Sequence, residues 1–182
     1  VPFPVLALFR PRVTPARLLR VLALCLPLGV SACSLDHEEE VRAQLQDWVK
    51  LGETYYFHSR VNCTAALFAI KATRISSMVK KVRDVESGMR AISEGRAVAF
   101  EIANTSPTAV TEQIMSQDLP MGLGVLSSGT SGKDCMAVEM EEAYFNALLD
   151  PTSVLLYAPE RRFMAIFDRR NKRMFYSRGR SS

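Results

Sequence analysis

The stretch "SVLLYAPERRFMAIFDRRNKRMFYSR", Ser153–Arg178, decides the fold. It contains three apolar runs, "SVLLY", "RRFMAIFD" and "KRMFYSR", parted by "APE" and "RRN". Aliphatic and aromatic residues fill the runs, and Pro159 and Asn171 mark the breaks. Short apolar runs separated by turn residues predict a three-stranded antiparallel meander.

Upstream, "CTAALFAI" (Cys63–Ile70) is apolar at successive positions, as expected of a central strand covered on both faces. "TYYFHS" (Thr54–Ser59) reads as its neighbour, and "AVAFEI" (Ala97–Ile102) as a further strand. Asp36 and Glu39 form a capping-box-like start to a first helix carrying Val41, Leu45, Trp48 and Val49, which Gly52 is placed to end. Ile75, Met78, Val79, Val82, Val85, Met89 and Ile92 step at helical spacing and predict one amphipathic helix ending at Gly95. Ser106-Pro107 caps another helix running to about Asp118. "LPMGLGVLSSGTSGKD", Leu119–Asp134, has four glycines and reads as a long loop, and Met136, Met140, Tyr144 and Leu148 predict a last helix before Pro151. The order α, β, β, α, β, α, α, β, β, β implies an α+β fold: helices packed on a mostly antiparallel sheet with a C-terminal meander.

The N-terminal region is of another kind. Arg10, Arg12, Arg17 and Arg20 precede an uncharged run from Val21 to Leu35, the layout of an export signal. The run is shorter than the ~20 apolar residues of a membrane span, and Pro27 and Gly29 interrupt it. Val30-Ser31-Ala32-Cys33 then resembles the lipobox of bacterial lipoproteins. The resemblance covers residues 10–34 only. It implies removal of residues 1–32, lipid on Cys33 and a membrane-anchored periplasmic protein; the patterning and length of residues 33–182, not the resemblance, make that part a single α+β domain. Ser34, where some groups place an aspartate for inner-membrane retention, favours the outer membrane. Val13 would open a compact signal, leaving residues 1–12 as a mis-assigned start. A free thiol at Cys33 after an ordinary signal, or an anchor that is never cut, is the competing reading.

Without that segment the charge changes meaning. The four leading arginines account for the whole excess of 23 basic over 19 acidic residues. A neutral remainder offers no electrostatic footprint for nucleic acid. Cys25 leaves with the signal and Cys33 takes lipid, so Cys63 and Cys135 are expected to pair in an oxidising compartment, against the alternative of a catalytic or redox thiol.

Catalytic and ligand-binding patterns are sparse. Gly132-Lys133 resembles the tail of a phosphate loop, but Ser127 and Asp134 stand where that motif needs glycine and Ser or Thr. His37 and His58 are not spaced as metal ligands, so no metal and no cofactor are expected. Glu139 and Glu142 share a helix face with Glu141 nearby, and with His58 they supply the groups for a small envelope hydrolase. Arg161, Arg162, Arg169, Arg170, Lys172 and Arg173 are candidate anion-binding residues for lipid headgroups or an anionic polymer. The reading this supports is a non-enzymatic binding or assembly module, with an envelope protein or anionic polymer as partner. The hydrolase is the alternative.

Overall fold

The computed structural model describes residues 35–72 and 74–179. The first half contains α1 (Glu38–Gln46), β1 (Leu51–Ser59), β2 (Cys63–Ile70), β3 (Lys80–Val82), α2 (Val85–Ser93) and β4 (Val98–Phe100). The second half contains α3 (Pro107–Gln117), α4 (Leu119–Thr130), α5 (Val138–Leu149), β5 (Val154–Ala158), β6 (Phe163–Asp168) and β7 (Arg173–Gly179). The strands make one sheet in the order β1-β2-β7-β6-β5-β4-β3. Only β3 and β4 run parallel, joined through α2; the other pairs are antiparallel. The fold is therefore α+β, and β5–β7 form the expected meander.

Both faces of the sheet are buried, which is why β5 and β6 carry no polar alternation. On one face, Val85, Ile114, Val125 and Tyr144 from α2–α5 pack on Leu67, Leu155, Ile166 and Phe175. On the other, Val41 and Leu45 of α1 join Trp48, Ile75 and Val79 over Phe68, Phe163, Phe167 and Tyr176. There Phe163 lies between Trp48, stacked at 5.4 Å, and Tyr176, tilted at 4.8 Å.

The helix expected from Ile75 to Ile92 is not one helix. Ile75 and Val79 enter the core on the α1 face, whereas Val82, Val85 and Ile92 enter the opposite core. A helix has a single apolar stripe; here two elements on opposite sides of the sheet imitate one. Lys80–Val82 is instead strand β3, and Asp84 starts α2 by accepting a 2.7 Å bond from the Ser87 amide. That bond, with the Ser87 hydroxyl, holds the Asp84 carboxyl below its ordinary pKa. Gly95 ends α2 as expected, with φ +74.

Leu119–Asp134 is not a loop but α4 followed by a 3-10 turn, Lys133–Cys135. Asp118 ends α3 and caps α4 by accepting from the Met121 amide at 3.0 Å. The glycines permit contact rather than turning: a Cβ on Gly122 would lie 2.6 Å from the Met115 backbone of α3. One on Gly132 would lie 3.1 Å from the Arg178 nitrogen and overlap the Ser177 hydroxyl.

Smaller corrections follow the same logic. His37, not Asp36, precedes α1, and Trp48 and Val49 lie beyond its end although both are buried. Gly52 belongs to β1, which starts at Leu51, and the third predicted strand shortens to Val98–Phe100.

Candidate functional site

The strand directions give the sheet two distinct ends. At one, β1 and β7 finish, β2 begins, and the β5–β6 turn carries Arg161 and Arg162. At the other, the β6–β7 turn carries Arg169, Arg170, Lys172 and Arg173. The six residues of β6 separate the ends by about 20 Å at a rise of ~3.3 Å per residue. The candidate anion-binding residues thus form two groups, not one patch.

Charge pairing divides them further. Arg169 bonds Glu101 at 2.6 Å and lies 5.7 Å from the Phe167 ring centre. Arg170 is 3.5 Å from Asp150, whose carboxyl lies below its ordinary pKa chiefly through hydrogen bonds from Thr152, with Arg170 adding to the effect. Arg161 and Arg162 are exposed on their turn. Arg162 and Lys172 take left-handed backbone, φ +51 and +53, at the two hairpin tips.

The first end is stitched together. Cys63, the first residue of β2, is disulfide-bonded to Cys135 with Cα atoms 5.8 Å apart, so the two thiols are consumed. Tyr56 donates to the Cys135 carbonyl at 2.8 Å. Ser177 on β7 donates to the Gly129 carbonyl at 2.6 Å, gripping the end of α4. Asp36 adds a third tie. Its carboxylate accepts from Arg178 at 2.5 Å and from Thr64 at 2.7 Å, and its amide donates to Ser59 at 3.1 Å. Sequence reasoning gave Asp36 to a helix cap, and nothing local in the sequence signals a partner 142 residues away.

The groups considered for hydrolysis do not converge. His58 lies on β1, its Nε2 accepting from Arg60 at 2.9 Å. Glu142 is exposed on α5, and Glu141 pairs with Lys133 at 3.0 Å. Glu139 alone lines a groove. His37 is exposed at the start of α1. Among the described residues no group of three or more His, Cys, Asp or Glu is placed to hold a metal ion. Among them, too, no helix is long and apolar enough to cross a membrane. Cys33 lies outside the described residues.

Two concavities open toward the second end, one of them reaching back to Tyr56 and Leu67 in the middle of the sheet. A cleft of about 400 Å³ lies beyond the carboxyl ends of β3 and β4, where Arg83, Asn104, Ser153 and the Arg169–Glu101 pair line it. A groove of about 500 Å³ lies between β1 and α5, with Tyr55 and Tyr56 on one side and Glu139, Asn171 and Arg173 around it. Sequence reasoning missed both tyrosines. Consecutive strand residues normally face opposite ways, but the β1–β2 register slips between Thr54 and Tyr56. This bulge lets both side chains line the same groove.

No protein-family model matches the chain, and neither a curated protein nor a solved structure matches it significantly.

Proposed function

We propose that this protein is a lipid-anchored binding module of the bacterial cell envelope, facing the periplasm and held at the membrane, with the outer membrane favoured, through Cys33. The observation that carries the reading is the position of Asp36. It follows the lipobox cysteine by three residues, and Arg178, Thr64 and Ser59 clamp it to one end of the sheet. Three residues span at most about 11 Å of extended chain. A lipid on Cys33 would therefore hold the stitched end against the bilayer and present the grooved end away from it.

That geometry gives the two basic groups separate roles. Arg161 and Arg162, with Arg60 at the same end, lie where anionic headgroups would be. Each cation near such a surface adds about 1 kcal/mol of attraction, which aligns the domain rather than anchoring it. Arg169, Arg170, Lys172 and Arg173 lie about 20 Å farther out, beyond the ~8 Å Debye length at physiological salt, and suit an envelope partner instead. A binding role is favoured over the hydrolase because Glu139, Glu142 and His58 occupy separate surroundings.

The test is the intact mass of protein extracted from its own membranes, together with the membrane partition of Cys33→Ala. The expected mass is that of a chain whose first residue is an acylated Cys33, and the variant should move to the soluble fraction. An unlipidated chain, or a variant that stays membrane-bound, would contradict the reading.

A further inference from the structure

We propose that the groove between β1 and α5 binds a glycan strand of N-acetylated amino sugars, with Tyr55 as its stacking platform. Tyr55 is 55% exposed on the edge strand, so much of its ring stands outside the core. The β1 bulge puts it beside Tyr56, whose own hydroxyl is held by the Cys135 carbonyl. One tyrosine is thus fixed as groove wall while the other offers a free ring face. A ring face of this kind covers the C–H face of a pyranose while its hydroxyl remains at the wet edge.

The polar groups suit the same ligand. Among the described residues, neither the Glu139 carboxylate nor the Arg173 guanidinium has an ionic or hydrogen-bonding partner. Together they leave the groove with no net charge, which fits a neutral polyhydroxyl ligand better than an anion. A carboxylate accepts from vicinal hydroxyls or an amide N–H, and a guanidinium donates to a carbonyl or ring oxygen. Leu67, Met140 and Ala143 supply an apolar lining that can receive an acetamido methyl. Asn171 is held in place by Asp168, its side-chain amide donating to that carboxylate at 2.8 Å. The groove's volume falls within the roughly 300–1,000 Å³ usual for small-ligand sites.

A peptide adding a strand to β1 fits less well. The register slips twice, between Leu51 and Thr54 and again between Thr54 and Tyr56, and breaks the regular ladder that strand addition needs. Choosing an envelope glycan as the occupant rests on the anchored reading above; the chemistry of the groove does not.

The experiment titrates the detergent-extracted full-length protein with a β-1,4-linked N-acetylglucosamine tetramer, followed by calorimetry. The expected result is saturable binding that Tyr55→Phe preserves and Tyr55→Ala weakens about tenfold, the scale of one lost aromatic contact. Glu139→Gln should weaken it by about threefold to tenfold through loss of a charge-assisted bond. Both side chains are exposed, so each variant should keep the parent's unfolding temperature, which separates lost binding from lost folding. No saturable heat at millimolar tetramer, or a Tyr55→Ala protein that titrates like the parent, would overturn the proposal. Equal binding of a β-1,4-linked glucose tetramer would overturn the amino-sugar assignment. Because the ligand is added directly, an unlipidated Cys33 would leave this result standing, and a failed titration would leave the anchor standing.

Discussion

The two ends of the sheet are built from similar parts and differ in how those parts are joined. Each has a basic hairpin tip with a left-handed cationic residue, Arg162 at one and Lys172 at the other. The stitched end adds a disulfide, the Asp36 clamp and a glycine contact that seats α4 on β7. The grooved end has ion pairs across solvent and two open concavities lined by polar side chains. In the proposed reading the side chains that would meet a ligand, Tyr55, Glu139 and Arg173, are not among the residues that make these ties. That reading assigns most of the stabilising ties to one end and recognition to the other.

That contrast is open to attack at both ends. Replacing Cys63 and Cys135 by alanine should have the largest effect. The bond spans 72 residues, and the chain-entropy account gives a loss of about 4 kcal/mol, read in urea titrations with and without reductant. Gly132→Val should cost about 1–3 kcal/mol, because the added carbons meet Ser177 and the Arg178 nitrogen and α4 must lift from the sheet. Asp36→Ala should cost about 1–2 kcal/mol by leaving Arg178 and Thr64 without their acceptor, visible as a lowered midpoint. At the grooved end, Arg170→Ala should change stability by less than about 0.5 kcal/mol, since the arginine itself is exposed and its contact with Asp150 is 3.5 Å long. Equal losses at the two ends would erase the distinction.

A pH titration sharpens the picture of the core. Burial pushes the hydroxyls of Tyr144 and Tyr176 above their ordinary pKa of 10, and for Tyr176 the nearby Asp36 carboxylate pushes the same way. A pKa raised on folding means that the contribution is fully present below about pH 10 and is lost as pH rises from there toward the folded value. Thermal midpoints should therefore be insensitive to these groups at neutral pH and fall above about pH 10, in step with the tyrosinate absorbance.

The meander was legible because each strand is bounded by turn residues and paired with its sequence neighbour. Cys63–Ile70 was legible because eight residues with little polar interruption fit a doubly covered strand. The middle of the chain was not. Ile75 to Ile92 keeps helical spacing across a strand and a helix that serve opposite faces, and spacing carries no label for which core a residue enters. Leu119 to Thr130 looked like a loop because glycine serves turns and close packing alike, and only Met115 and Ser177, distant in sequence, reveal the second use. Of the residues proposed to bind a glycan, Glu139 and Arg173 stand out in the sequence, but as members of other groups. Tyr55 gained its place from a register slip, which leaves no mark in composition or periodicity.

The measurement that tests the central claim most directly is the depth of two spin labels relative to the bilayer. One would replace Arg161 and the other Asn171, each on the acylated protein reconstituted in anionic vesicles. The account predicts that the label at 161 lies near the headgroups and that the label at 171 lies about 20 Å farther into water, beyond the reach of relaxation agents confined to the lipid. Equal depths, or a label at 171 closer to the bilayer, would contradict it.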